Sequence, residues 1–177
     1  DKSFKPPLTK LITSFLLDIG KIKFSPKIIE YVFREGYCKQ DIQYIQDIEN
    51  GYNFILSAGT VTNKVEVDYC LNNNINIMFS PHLDEELVKY CFKNNSVMIP
   101  GVFTATEIIK AYNIGVKIVK FFPYNFIPSN HLKSFLSVFS KLDIKFIVTG
   151  GVNNENYKEI LKIKNVIFVG SSSITAI

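Results

Sequence analysis

Tryptophan is absent from this 177-residue chain, histidine occurs twice and cysteine three times. Two histidines, His82 and His131, stand far from each other and from any cysteine at metal-ligand spacing, so a zinc site is not expected. Three widely separated cysteines, Cys38, Cys70 and Cys91, make no disulfide framework and read as reduced thiols of a cytosolic protein. No apolar run approaches the roughly 18–20 residues that cross a bilayer. Lys2, Lys5 and Lys10 precede no clean apolar stretch or small-residue cleavage site, so no secretory leader is read here. Charge is also scarce. Charged residues are 20% of the chain and the net charge is +4, which suits an anionic small molecule but not a nucleic-acid partner. No Pro/Gly-rich linker or low-complexity stretch divides the sequence, and residues 1–177 read as one domain.

What is abundant is apolar: 47% of residues, enough for a substantial core. Lys, Asn, Ile, Phe and Tyr are frequent, a bias that AT-rich coding would produce, and many Asn and Lys positions read as solvated surface. Apolar runs recur at Ile28–Phe33, Asn53–Ala58, Ile75–Ser80, Val97–Val102, Lys117–Phe122, Phe146–Gly150 and Val166–Val169. They lack strict alternation, as strands covered on both faces do. Between them lie amphipathic stretches: Lys39–Glu49, Lys64–Asn72, Asp84–Asn94, Thr104–Asn113, Ser129–Lys141 and Asn154–Lys162. Thr104 and Glu107 have capping-box spacing, and Ser129 opens a helix after Pro128.

This alternation predicts a parallel α/β fold, either an open doubly wound sheet or a (β/α)8 TIM barrel. The polar residues favour the barrel. They gather after many strands, at Arg34, Thr60, Ser80-Pro81, Pro100-Gly101, Lys120, Thr149-Gly150-Gly151 and Gly170-Ser171-Ser172. A barrel brings all such ends to one mouth, whereas an open sheet joins only those beside its switch point. The first unit, residues 1–24, is degenerate. Phe4–Thr9 carries two prolines, poor for a central strand, and Leu8–Ile22 reads as a helix. A first strand is therefore expected to be degenerate or missing, and the C-terminal helix truncated.

Lys120 stands near the end of the apolar run K-I-V-K-F-F-P. An amine in an apolar pocket is disfavoured in its charged form and is available to attack a carbonyl, which suggests a Schiff-base lysine. The alternative is a lysine snorkelling past the strand end. Glu30 interrupts I-I-E-Y-V-F. It reads either as a proton carrier for imine chemistry or as a structural ion pair with Lys120 or Arg34. Arg34, four residues on, shares its strand face and can grip a carboxylate, or else is a surface arginine. The small-residue loops Gly150-Gly151 and Gly170-Ser171-Ser172 follow consecutive strands, a place where barrels often hold phosphate on backbone N–H groups.

Taken together, I-I-E-Y-V-F-R, S-A-G-T-V-T-N, F-S-P-H-L-D-E-E, I-P-G-V-F-T-A-T-E, V-K-F-F-P, V-T-G-G-V-N and V-G-S-S-S resemble the class I aldolases that cleave 2-keto-3-deoxy-6-phosphogluconate and 4-hydroxy-2-oxoglutarate. The resemblance runs from about Ile28 to Ile174. It implies a trimer of (β/α)8 barrels with no metal or cofactor, and a small phosphorylated keto-acid as substrate. It implies that Lys120 is the Schiff-base lysine and Glu30 the acid/base group. Arg34 and Thr60 would hold the pyruvyl portion, Pro81 and Phe122 would line its pocket, and Gly150, Gly151 and Ser172 would bind phosphate. A glycine expected before that serine is Ser171 here. Two other readings stand beside it: a catalytically degenerate barrel kept as a binding or assembly protein, and a related phosphate-binding barrel enzyme such as an epimerase or a thiamine-phosphate synthase. The lysine beside Phe121-Phe122-Pro123 argues against the last.

Overall fold

Parallel strands buried on both faces need helices outside and apolar side chains inside, and the chain supplies both. A computed structural model describes residues 12–18, 28–32 and 55–172. Among the described residues, nine strands form one sheet: β1 (Ile12–Asp18), β2 (Ile28–Val32), β3 (Ile55–Gly59), β4 (Ile77–Phe79), β5 (Val97–Ile99), β6 (Gly101–Val102), β7 (Ile118–Phe121), β8 (Lys145–Thr149) and β9 (Val166–Ser171). The described α-helices that cover it are α1 (Lys64–Asn72), α2 (Glu85–Lys93), α3 (Ala105–Asn113), α4 (Ser129–Ser137) and α5 (Tyr157–Leu161). The fold is α/β, with intervening helices and a sheet that is parallel except at β1.

The strand order is β5-β4-β3-β2-β1-β9-β8-β7-β6. Its two ends, β5 and β6, are consecutive in sequence, halves of the run Val97–Val102 broken at Pro100. Proline has no N–H to give the ladder. Its carbonyl still accepts from the Lys120 N–H at 2.9 Å, while Ile99 accepts from the Ser80 N–H at 3.2 Å on the other side.

Alternation sorts the strand side chains into two cores. One face, with Leu56, Ala58, Met78, Met98, Val119, Phe121, Phe146 and Val148, packs against Val67, Cys70, Val88, Cys91, Ile108 and Leu132 from the helices. The opposite face carries a smaller cluster of Phe79, Ile99 and Ile147, with Ile28, Ile77 and Ile118 against it. Glu30, Lys120 and Thr149 each lie two residues beyond one of these isoleucines and so share this second face.

The first three described helices end in one repeated turn. After α1, the Ile75 and Asn74 N–H groups reach back to the Cys70 and Leu71 carbonyls, and α2 and α3 repeat this through Ser96 and Asn95, and through Val116 and Gly115. That is the Schellman pattern, which requires a left-handed residue at its corner. Asn74 (φ 59°), Asn95 (φ 54°) and Gly115 (φ 91°) supply it. Asn74 and Asn95, both exposed, therefore have a structural role in these turns. Thr104 and Glu107 form the predicted capping box.

Several expectations are corrected. Residues 12–18 are not helical but form β1, antiparallel to both β2 and β9. A slot between two strands leaves ladder groups on both sides to satisfy, and a strand in either direction meets them. Ile12, Thr13 and Phe15 favour extended backbone as well. The helix expected over 129–141 ends at Ser137, and that over 154–162 shrinks to Tyr157–Leu161. There the Asn153 carboxamide accepts from the Glu155 and Asn156 N–H groups, a local turn that competes with helix. Phe4–Thr9, Lys39–Glu49 and residues 173–177 lie outside the described residues. Among the described residues, no helix is long and apolar enough to cross a membrane.

Candidate active site

Register brings the two charged strand residues together. Glu30 on β2 pairs with Ser57 on β3, and Lys120 on β7 pairs with Gly101 on β6. The Lys120 amine donates to Glu30 Oε1 at 3.3 Å, with the residues 7% and 1% exposed. The rings of Phe79 and Phe122 flank the amine, with centroids 5.7 and 5.1 Å from Nζ. A buried ion pair gives little net stability, because desolvation offsets most of its attraction. Glu30 Oε2 is buried and has no hydrogen-bond partner among the described residues. Such an orphan asks for a ligand atom or a water. A second orphan, Thr149 Oγ1, lies at the end of β8 on the same sheet face.

The other expected residues stand at the same ends of their strands. Thr60 follows β3 in a left-handed conformation (φ 62°), unusual for a β-branched residue and a mark of local strain. Pro81, half-buried after β4, presses its backbone against Gly101, where an added Cβ would meet its carbonyl oxygen at 2.3 Å. Phe122 follows β7, and its ring lies 2.9 Å from where a Cβ on Gly150 would be. The site therefore runs from Lys120 through Phe122 to the Gly150-Gly151 loop. Ser172 follows β9 and is exposed. Arg34 lies outside the described residues, as does Cys38.

Sequence reading missed Gly59. A Cβ there would stand 2.0 Å from Glu30 Oε1 and 2.6 Å from its Cδ and Cγ. The Glu30 carboxyl thus occupies the space of a missing side chain. A glycine closing a strand often marks such an approach, and that signal was present in S-A-G-T. Ser171 is buried, and its hydroxyl donates to the Val152 carbonyl.

The remaining candidates stay outside this chemistry. His82 is exposed and His131 is on the surface of α4; His82 Nδ1 is 3.3 Å from Ser80 Oγ. Cys70 and Cys91 are buried and unbridged. Burial, reinforced by Cys91 and Glu66, pushes the Cys70 thiol up to about 12, and burial raises Cys91 as well. Neither is an activated nucleophile.

The buried amine–carboxylate pair, walled by aromatics and open to small-residue loops, suits carbonyl chemistry. The sequence model of the KDPG and KHG aldolases matches residues 23–177. The chain belongs to this aldolase family. It is 30% identical over 150 residues to the 2-dehydro-3-deoxy-phosphogluconate aldolase of Dickeya dadantii, across 82% of this chain and 67% of the relative. It is 31% identical over 119 residues to the KHG/KDPG aldolase of Escherichia coli, across 67% of this chain. It spans only 55% of that relative's length. Among solved structures, the KDPG aldolase of Legionella pneumophila, holding pyruvate as a covalent carbinolamine, superposes with a TM-score of 0.67 at 27% identity. That match covers 84% of this chain and 68% of the other.

Proposed function

We propose that the protein is a class I aldolase, a carbon–carbon lyase. It cleaves 2-dehydro-3-deoxy-6-phosphogluconate to pyruvate and glyceraldehyde 3-phosphate through a Schiff base on Lys120. The shorter 4-hydroxy-2-oxoglutarate, giving pyruvate and glyoxylate, is a second substrate of the same chemistry. The observation that carries this reading is the buried Lys120 amine 3.3 Å from the buried Glu30 carboxylate.

Lys120 passes a proton to Glu30 and its free amine adds to the C2 ketone; the carbinolamine hydroxyl takes that proton back from Glu30 and leaves as water, giving an iminium. Glu30, through a water, removes the C4 hydroxyl proton. The C3–C4 bond breaks, its electron pair enters the iminium as an enamine, and the aldehyde leaves. Protonation at C3 and hydrolysis return pyruvate and the free amine. Pre-placing amine and base lowers the barrier by avoiding solvent reorganisation. Arg34 and Thr60 hold the pyruvyl carboxylate, Pro81 and Phe122 wall the pocket, and Gly150, Gly151 and Ser172 receive the phosphate. The Thr149 hydroxyl is available to a substrate oxygen. The Legionella carbinolamine supports the covalent step.

The sheet order supports a (β/α)8-type barrel, closed through the Val97–Val102 run, with β1 reversed in the first position. A homotrimer is the assembly that the family resemblance implies; light scattering after size exclusion tests it. No observation favours a non-catalytic binding barrel.

Pyruvate with borohydride, followed by peptide mapping, tests the reading. A reduced pyruvyl adduct on Lys120, absent from Lys120→Met, supports it. Folded protein without an adduct sinks it.

A further inference from the structure

Three consecutive carbonyls in the loop after β8 are each held by a different part of the chain. The Gly150 oxygen accepts from the Asn125 N–H at 2.8 Å. The Gly151 oxygen accepts from the Asn156 carboxamide at 3.0 Å. The Val152 oxygen accepts from the Ser171 hydroxyl, across 19 residues of sequence. Gly150 and Gly151 have φ of 83° and 96°, so the loop takes a path that ordinary side chains resist. In a planar trans peptide the N–H points opposite the C=O. Turning the Gly150 oxygen toward Asn125 therefore presents the Gly151 N–H on the other side.

We infer that Ser171 is a positioning residue for substrate phosphate: its hydroxyl clasps Val152 and fixes the curvature of the Gly150–Val152 loop, so that the loop's N–H groups are preset for an anion. The inference rests on the anion subsite proposed above. An opposite reading is that a side chain where glycine is expected crowds the phosphate. The hydrogen bond favours the clasp, because the hydroxyl is committed to a buried carbonyl.

The test measures binding of inorganic phosphate by calorimetry to wild type, Ser171→Ala and Ser171→Gly, with melting temperatures for all three. Loss of one hydrogen bond should weaken phosphate binding roughly three- to tenfold in both variants. KM for the phosphorylated keto-acid should rise by the same factor. The kcat, the pyruvate–borohydride adduct and the KM for 4-hydroxy-2-oxoglutarate should hold within about twofold, since the clasp does not touch the reacting carbons. Tighter phosphate in Ser171→Gly would establish crowding and overturn the inference. Unchanged affinity, an equal loss for both substrates, or no phosphate binding by wild type would overturn it too. Wild type that binds phosphate but forms no pyruvate adduct, with both variants still weakened, would uphold the clasp while the aldolase reading fails.

Discussion

Gly59→Ala is the sharpest perturbation the site offers. The added Cβ would stand 2.0 Å from Glu30 Oε1, whereas ordinary contact begins at 3.4 Å. To regain ordinary contact the carboxyl oxygen must retreat by about 1.4 Å, the difference between those distances. It now lies 3.3 Å from the Lys120 amine, so such a retreat spoils the pairing on which the proposed proton transfer depends. Misplacing a catalytic group by about 1 Å can cost on the order of 100-fold in rate. That is about 2.7 kcal/mol of transition-state stabilisation. Overpacking adds about 1–3 kcal/mol of destabilisation. The rate is read by coupling pyruvate release to lactate dehydrogenase, and the stability by thermal melting. A double-mutant cycle locates the cause. In a Glu30→Ala background the space is empty, and adding Gly59→Ala should cost less than about 0.5 kcal/mol of stability. Gly59→Ala with kcat/KM within about threefold of wild type would refute the reasoning. So would an equal loss of stability in both backgrounds, which would trace the strain to the backbone instead of to Glu30.

Further outcomes are expected at the cysteines and at the Thr104 cap. Cys70 and Cys91 should ignore a thiol reagent at pH 8 in folded protein and react once guanidinium unfolds it; rapid labelling of either before unfolding would contradict their burial. The unfolded Cys70 thiol ionises near 9.0 and the folded one near 12, so its contribution to stability is whole below pH 9.0 and is lost as pH rises toward 12. Thr104→Ala should cost about 1 kcal/mol, or about 2–4 °C in Tm for a domain of this size. Burial pushes the Glu107 carboxyl up, but the Thr104 hydroxyl and the Phe103 and Thr104 N–H groups outweigh it and leave it below 4.5. The capping contribution is thus whole above pH 4.5 and fades as pH falls through the lowered value, so the Tm gap between wild type and Thr104→Ala should narrow in acid. A gap that stays constant from pH 7 to acid would sink that account.

The strand runs were legible because burial on both faces suppresses alternation, and all seven appear within a few residues of where composition puts them. Helix starts were legible where a side chain announces them, as Thr104 does. The failures have physical causes. Residues 12–18 carry a pattern compatible with helix, and the unmet ladder groups of β2 and β9 decide the matter. No local window contains those partners. The role of Asn74 and Asn95 was not legible, because a left-handed corner is a requirement of the turn, visible only once the helix before it is placed. The Pro100 break in the Val97–Val102 run follows from a missing donor, and that much was readable in the residue itself.

The site divides along the same line. Lys120 and Glu30 were conspicuous separately, each a charge in an apolar strand, but local sequence left each balanced between chemistry and a structural pair. They stand 90 residues apart, and their meeting depends on register summed across the whole sheet. The geometry does not choose by finding them paired, since a structural ion pair would also be paired. What surrounds the pair supports the catalytic reading proposed above. An ion pair kept for stability would have its remaining lone pairs satisfied, because half-satisfied buried charge is worse than none. Here Glu30 Oε2 has no partner among the described residues, and Gly59 gives up a side chain to let the carboxyl in. Both features cost stability, and the proposed proton-transfer role of Glu30 accounts for both. The same logic separates Ser171, whose hydroxyl is spent on a backbone carbonyl, from Thr149, whose hydroxyl is not. The first shapes the site, and the second is left to meet what enters it.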